Sequence, residues 1–328
     1  MMYVEYGSPL NGRRLLETVA FLNRSGLDCE MGIEFSVNLL EDGKIVASGS
    51  MQDNVLKCIA VSKDCQGEGL AAKIVSELKL EAALQGKTHL FLYTKPENRS
   101  LFDALGFYKV AQTEHILLME DLKNGVAQFV SKIPKAKAQP VGAIVMNCNP
   151  FTNGHLDLIA NAAAECGFLY IFVVSEEKSF FSAQDRLRLV KEGTAHLPNV
   201  AVQPTGEYLI SSATFPVYFI KEKDRAAEFN SALDLTVFAE CFAGPLGITR
   251  RYVGCEPFCP VTRRYNRQMQ RLLPEHGITV IERPRFSIGG EAVSASRVRR
   301  LFAEGRFEEL RPLVPEVTYW YLMEVSAK

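Results

Sequence analysis

The sequence has almost no net charge: 37 Lys and Arg stand against 38 Asp and Glu, which gives −1 at pH 7. With no excess of positive charge to neutralise phosphates, nucleic acid and anionic membrane surfaces are not expected partners. There is also no apolar run of the roughly 18 to 20 residues that crosses a bilayer. The opening Met1-Met2-Tyr3-Val4-Glu5-Tyr6 lacks a basic segment leading into an apolar one. A cytoplasmic protein without a membrane segment is expected. Clustered metal ligands are missing too. The cysteines (Cys29, Cys58, Cys65, Cys148, Cys166, Cys241, Cys255 and Cys259) are scattered, which suits reduced, small hydrophobes in a cytosolic chain. Cys255 and Cys259 have no second Cys/His pair at zinc spacing, so no metal site is assigned. No internal repeat or extended low-complexity segment is present, which excludes a solenoid. What remains is 328 residues, 47 % of them apolar, enough for about two domains with proper cores.

The most telling stretch is Asn149-Pro150-Phe151-Thr152-Asn153-Gly154-His155, between the apolar run 141–146 and the helix-like 156–165. A strand turning through Thr-x-Gly-His into a helix sets backbone N–H groups, a hydroxyl and an imidazole where a nucleotide's phosphates can sit. Gly154 permits close approach of the backbone to a phosphate, and His155 opens a helix whose positive end favours anions. For Gly-His alone, an ordinary strand-to-helix loop is the competing interpretation. The full string resembles the first signature of the nucleotidyltransferase superfamily, in the Thr form found in phosphopantetheine adenylyltransferases. The second signature of that superfamily, Ile-Ser-Ser-Thr-x-x-Arg, is resembled by Val293-Ser294-Ala295-Ser296-Arg297-Val298-Arg299. Ser294, Ser296 and Arg299 are the positions carried over. A helix starting at Ser294 puts hydroxyls and N–H groups beside one phosphate, with the guanidinium a turn further on. A solvated basic face is the plainer interpretation of Arg297, Arg299 and Arg300. Ile210-Ser211-Ser212-Ala213-Thr214-Phe215-Pro216 begins in the same way, but it has Pro216 where the Arg belongs and lies too early in the chain.

The Lys/Ala/Pro stretch from Lys132 to Pro140 has no apolar period and reads as a linker. The expected organisation is a first domain over 1–132, a linker over 133–140 and a second domain over 141–328. In the second domain, short apolar runs alternate with helical patterns: strands over 142–146, 168–174, 200–203, 251–254 and 279–282, and helices over 155–165, 183–196, 215–240, 263–273, 294–304 and 317–325. That alternation predicts an α/β fold with a Rossmann-like parallel sheet. In such sheets ligands bind beyond the carboxyl ends of the strands, where Thr152, Gly154 and His155 fall.

The first domain reads differently. A strand over 55–61 leads through Lys63-Asp64-Cys65-Gln66-Gly67-Glu68-Gly69-Leu70-Ala71 into a helix that ends near Leu84. Gln66-x-x-Gly69-x-Ala71 resembles the pyrophosphate-binding turn of the GNAT acetyltransferase superfamily, where free N–H groups hold the diphosphate of coenzyme A. A glycine-rich helix start is the alternative for this hexapeptide alone. After a strand over 89–93, Asn98-Arg99-Ser100-Leu101-Phe102-Asp103-Ala104-Leu105-Gly106-Phe107-Tyr108 resembles the later helix-to-Gly-Phe signature of the same superfamily. An acetyltransferase-like α+β domain is therefore expected before the nucleotidyltransferase domain.

This fusion, together with Glu207-Tyr208-Leu209 running into Ile210 to Pro216, resembles the citrate lyase ligase family over essentially the whole chain. The resemblance implies an acid–thiol ligase that forms AMP. ATP and acetate acetylate the thiol of a coenzyme-A-like prosthetic group on the acyl carrier subunit of citrate lyase, through acetyl-adenylate, with Mg²⁺ on the leaving pyrophosphate. It makes His155, Thr152, Arg299 and Lys178 the catalytic candidates. Asn149, Phe151, Gly154, Gly254, Glu256, Ser294 and Ser296 join them around ATP, while Gln66, Gly67, Gly69, Ala71 and Asn98 hold the prosthetic arm. Acetate is ionised at neutral pH and attacks the α-phosphate without a general base, so the site mainly has to position and neutralise charge.

Lys178 and Arg186 follow the second strand of this domain and resemble the Lys and Arg at that place in phosphopantetheine adenylyltransferases. Lys178 suits the triphosphate or the acetate carboxylate, with a surface lysine as the alternative, and Arg186 also suits a helix anchor. Gly254-x-Glu256-Pro257 suits the adenine pocket through backbone groups, or a plain turn. Two other functions stay open at this point: a pantetheine-phosphate-type adenylyltransferase, in which a phosphate is the attacking group, and a non-catalytic acyl-CoA sensor.

Overall fold

The computed structural model describes residues 1–30, 32–177, 179–209, 225–256 and 259–327. The chain divides into two compact units, Met1–Val126 with Phe215–Leu233, and Ala127–Thr214 with Asp234–Lys328. No described helix is long and apolar enough to cross a membrane.

The first unit runs β1 (Met2–Gly7), α1 (Gly12–Arg24), β2 (Phe35–Glu41), β3 (Lys44–Gln52), β4 (Val55–Val61), α2 (Leu70–Leu84), β5 (Phe91–Thr94), α3 (Arg99–Ala104), β6 (Tyr108–Gln112) and β7 (Leu117–Glu120). Among the described residues these strands form one sheet in the order β1-β2-β3-β4-β5-β7-β6. Its neighbours are antiparallel except for β4 and β5, which are parallel. That exception shapes the unit, because β4 and β5 share only the pairs Val55↔Phe91 and Leu56↔Leu92 and then diverge. The helix α2 buries Leu70, Ile74, Val75 and Leu78 in a core with Val37, Leu39, Met51 and Leu56. Each such side chain contributes about 1.5–3 kcal/mol through removal from water. The strand expected from residue 89 starts two residues later. The Leu90 N–H turns to the Asp121 carboxylate (2.8 Å) and the His89 ring to the Glu120 carboxylate (2.8 Å), so neither extends the strand.

A helix α4 (Gly125–Ser131) leads into the second unit. There follow β8 (Val141–Met146), α5 (Asn153–Glu165), β9 (Phe168–Val173), α6 (Ala183–Gly193), β10 (Val200–Pro204), α7 (Ala226–Val237, of which the part up to Leu233 belongs to the first unit), α8 (Gly244–Leu246), β11 (Arg250–Gly254), α9 (Pro260–Leu272) and β12 (Thr279–Arg283). A short hairpin of β13 (Ser287–Ile288) and β14 (Glu291–Ala292) then precedes α10 (Ala295–Ala303) and α11 (Glu316–Ser326). The five strands β8 to β12 form an all-parallel sheet in the order β10-β9-β8-β11-β12. An interior parallel strand is covered on both faces, which is why β9 is the unbroken apolar run Phe168-Leu169-Tyr170-Ile171-Phe172-Val173, buried at every position. Residues 133–140 are held to this unit: the Tyr170 hydroxyl donates to the Pro134 carbonyl (2.7 Å) and Lys135 to the Pro245 carbonyl (3.1 Å).

Three helices differ most from the sequence expectation at their ends, the others by one or two residues. The helix expected over 183–196 stops at Gly193, where the Thr194 hydroxyl takes the Val190 carbonyl (2.7 Å). The one expected from 263 starts at Pro260, since a proline needs no helical N–H acceptor in the first turn. Of the helix expected over 215–240, residues 215–224 lie outside the described residues, as does the Ile210 to Pro216 segment. The remainder is α7 followed by a π-helical stretch, Phe238–Ala243.

Candidate active site

From β8 the chain steps one way to β9 and β10, and later the other way to β11 and β12, so the order reverses between β8 and β11. Such a switch point opens a crevice at the carboxyl ends of its two strands. The loop after β8, residues 147–152, enters that crevice and ends at the start of α5. Thr152 caps α5 in a reciprocal box. Its hydroxyl lies 3.4 Å from the His155 N–H, while His155 Nδ1 accepts the Thr152 N–H at 3.1 Å and approaches the Thr152 hydroxyl at 3.0 Å. Caps of this kind contribute about 1 kcal/mol. Here the cap also fixes the ring. Burial pushes the imidazole down to about 4, and the Arg285 guanidinium pushes it the same way. The neutral ring with an accepting Nδ1 carries its proton on Nε2, so His155 offers one N–H donor rather than a charge.

The two signatures meet. A Cβ on Gly154 would lie 3.2 Å from the Val293 carbonyl oxygen and 3.7 Å from Val293 Cβ. The glycine thus lets the start of α5 lie against the segment between β14 and α10. Ser294 caps α10 by accepting the Arg297 N–H at 3.2 Å. One turn on, the Arg299 guanidinium donates to the Asn149 carbonyl and to the Ser296 hydroxyl (3.3 Å). Asn149 is held a second time, its side-chain oxygen accepting the Phe181 N–H at 3.1 Å. Between Asn147 and Asn149, the buried Cys148 sits at φ 52°, a left-handed conformation that a non-glycine residue holds only under strong local constraint.

Arg186 supplies part of that constraint. Its fully buried guanidinium donates to main-chain carbonyls of Asn147 (3.0 Å), Val174 (2.7 Å), Phe181 (3.1 Å) and Glu176. It therefore staples the loop after β8 to the loop after β9 and offers nothing to a ligand. Phe151 is likewise in the core, with its ring stacked 6.2 Å from that of His155, and the Thr152 side chain is 1 % exposed. Both residues touch the His155 ring from its buried side. Of the first α5 amides, the Asn153 N–H is taken by the Leu313 carbonyl (2.9 Å) and the His155 N–H by Thr152. The Gly154 N–H has no partner among the described residues. Lys178 lies outside the described residues.

On the other side of the crevice, the Gly254 carbonyl accepts from Asn266 (3.0 Å), and Glu256 binds through its side chain as well as its backbone. One Glu256 carboxylate oxygen takes the Cys259 N–H (3.1 Å), and the other pairs with Arg285. No feature of the sequence picked out Arg285. The only available signal was a cation directly beyond the carboxyl end of a predicted strand.

This arrangement has counterparts among known proteins. A family model described as the citrate lyase ligase C-terminal domain matches residues 141–322, and one described as an acetyltransferase (GNAT) domain matches residues 17–116. The citrate (pro-3S)-lyase ligase of Klebsiella pneumoniae is 40% identical over 313 residues, 93% of this chain and 92% of that one. The protein of the same name from Escherichia coli strain K12 is 39% identical over 323 residues, 95% of this chain and 91% of its own. The chain belongs to the citrate lyase ligase family. It is a ligase with an acetyltransferase-like mixed-sheet domain ahead of a nucleotidyltransferase-type parallel-sheet domain. The crystal structure of Escherichia coli ElaA covers 37% of this chain and 100% of its own, at 13% identity and a TM-score of 0.34.

In the first unit of the ligase, the divergence of β4 from β5 opens a cavity of about 700 Å³. Ile59, Ala60 and Val61 line it from β4, and Tyr93 and Thr94 from β5. Gln66, Gly67, Gly69, Ala71 and Asn98 all stand on its wall. Gly67 at φ 90° and Gly69 at φ 76° make the sharp turn into α2, a conformation that a side chain would strain. Asn98 is oriented by donating to the Thr94 hydroxyl (2.8 Å).

Proposed function

We propose that this ligase acetylates the thiol of a coenzyme-A-like prosthetic group on the acyl carrier subunit of citrate lyase, using ATP and acetate. In the first step an acetate oxygen attacks the α-phosphorus of ATP, the bond to the β-phosphate bridging oxygen breaks, and pyrophosphate leaves. In the second step the thiolate attacks the acetyl carbon, the carbon–oxygen bond to phosphate breaks, and AMP leaves with the acetate-derived oxygen. The thiol's proton passes to solvent.

The observation that carries this reading is the junction of the two signatures, where Arg299 bonds the loop that presents His155. That junction gathers a neutral N–H donor, a guanidinium, the Ser294 and Ser296 hydroxyls and the Gly154 amide at the mouth of a switch-point crevice. Fixed donors of this kind stabilise charge that moves from acetate onto the phosphates without any proton transfer. Thr152 and Phe151 orient His155, Asn149 ties the loops together, Gly254 and Glu256 flank the nucleotide, and Lys178 follows β9 as a further cation. Among the described residues no three His, Cys, Asp or Glu side chains come together. Mg²⁺ would enter as the MgATP substrate and would help neutralise charge on the leaving pyrophosphate.

The first domain, residues 1–132, holds the prosthetic arm in the cavity beside Gln66, Gly67, Gly69, Ala71 and Asn98, while residues 141–328 perform the adenylation. A long, amide-bearing, thiol-ended arm suits a partly apolar slot edged by the β4 backbone, whose ladder to β5 ends at Leu56. Because both ATP and the carrier are expected inside the cell, we place the protein in the cytoplasm, which fractionation of a producing strain checks.

Exchange of labelled pyrophosphate into ATP tests the reading, with acetate, 4′-phosphopantetheine or nothing added. Acetate-dependent exchange is the expected result. Exchange with phosphopantetheine alone makes the chain a nucleotidyltransferase of cofactor synthesis instead.

A further inference from the structure

Arg285 sits in the loop after β12, and its side chain is fixed on two sides. Its Nε donates to the Cys255 carbonyl at 2.9 Å, and Nη2 pairs with the Glu256 carboxylate. Glu256 is itself held, one carboxylate oxygen on the Cys259 N–H (3.1 Å) and its carbonyl on Arg263 (3.0 Å). The anchor of the guanidinium is therefore rigid. The third nitrogen, Nη1, has no hydrogen-bond partner among the described residues, and the Arg285 side chain is 28% exposed.

Position adds to this. Cys255 and Glu256 follow β11, the strand next to β8 at the switch point, so Arg285 is pinned to the crevice wall opposite the loop after β9. The Arg285 guanidinium also contributes to holding the His155 imidazole below its ordinary value. A guanidinium with Nε on a main-chain carbonyl, Nη2 on a carboxylate and one nitrogen left over is pre-organised to take a further oxyanion at little entropic cost. Glu256 offsets its charge enough that the empty site need not hold a bare cation.

We propose that Arg285 is a substrate-binding residue of the ligase, whose Nη1 receives an oxyanion of the reacting pair. That oxyanion belongs either to the triphosphate of ATP or to the carboxylate of the acid, and the two sources are separable. This inference rests on the adenylation reading above.

The experiment compares the full-length wild type with Arg285→Gln and Arg285→Lys. It measures the KM for ATP and for acetate in pyrophosphate exchange, the Kd for MgATP by calorimetry without acetate, and the thermal midpoint. The expected result for Arg285→Gln is a rise of about tenfold or more in one of the two KM values, with an unchanged midpoint. A higher KM and Kd for ATP identifies the triphosphate as the source, and a higher KM for acetate alone identifies the carboxylate. Arg285→Lys retains the charge but loses the fork, and a partial rescue is expected. If both KM values and the MgATP Kd stay within twofold of wild type, Arg285 is only a latch between two loops and the proposal is wrong. Should Arg285→Gln not fold, the Lys variant decides, because a fork contact predicts a several-fold KM rise and a latch predicts none. If the wild type shows no acetate-dependent exchange, the functional reading fails, while the MgATP Kd still tests Arg285 against phosphate.

Discussion

The crevice of the second unit and the cavity of the first are built from opposite materials. Around His155 the polar groups are tied to one another and to main chain: Thr152 to the ring, Arg186 to four main-chain carbonyls, Arg299 to the Asn149 carbonyl. Between β4 and β5 the walls carry many Leu, Ile, Ala and Val side chains, with the turn at Gly67 and Gly69, the polar Gln66, Thr94, Lys95 and Glu97, and an oriented amide at Asn98 along the edge. Fixed dipoles of the first kind suit charge that shifts during a reaction, because they need no reorganisation. An apolar slot suits a long, weakly polar ligand that has only to be held. A ligase that activates one substrate and receives another on a tether has use for both.

Substitutions that strike one region and spare the other test this contrast. The largest effect is expected from Arg299→Ala, which removes a guanidinium from the crevice and frees the Asn149 loop. Acetate-dependent exchange should fall by about 100- to 1,000-fold, while circular dichroism and the retained fold of the first unit show no change. Next comes Thr152→Val, which keeps the shape and deletes the hydroxyl. It should cost about 1 kcal/mol of stability as a lost cap and slow exchange by roughly tenfold as His155 loses its orientation.

The converse variant is Ala71→Phe, which fills the cavity wall. It should raise the KM for the carrier thiol by about tenfold, or 1.4 kcal/mol, with acetate-dependent exchange untouched. A parallel loss of exchange would break the comparison. Smaller still is Gly154→Ala. Its Cβ would come within 3.2 Å of the Val293 carbonyl, and the two segments must part slightly, so the expected cost is about 1 kcal/mol in denaturant unfolding.

The smallest effect is a pH dependence. His155 titrates near 4 in the folded chain against an ordinary 6.5. Between those values the unfolded chain binds the extra proton, so the His155 contribution to stability is full above about pH 6.5 and is lost as pH falls toward 4. Exchange rates should therefore show no His155 inflection between pH 6.5 and 8, and an inflection near 6.5 that vanishes in His155→Gln would show the ring is charged in the working range.

The contrast also explains what could be read from the sequence. Local spacing sufficed for the strand–turn–helix at Asn149 to His155, for the Ser294 cap and for the turn from Gln66 to Ala71, because each is a contiguous backbone motif. Alternating apolar and helical runs sufficed for the parallel sheet. Properties set by distant partners were not legible. Gly154 was read as making room for phosphate, and its close packing against Val293 has no sign in the spacing. Phe151 and Thr152 were assigned to ATP, and their burial beside the His155 ring likewise depends on the fold. Arg285 stood alone in a loop with no spacing to mark it, and its orientation depends on Cys255 and Glu256, which reach it only through the pairing of β11 with β12.

The most direct test of the account follows one oxygen atom. With acetate labelled in both oxygens, ATP, Mg²⁺ and the thiol-bearing carrier, a complete turnover should deliver one label into AMP, because the carboxylate oxygen that attacks the α-phosphorus stays with it when the thioester forms. AMP without label would contradict the account, since it means the acid never bonded to the α-phosphorus.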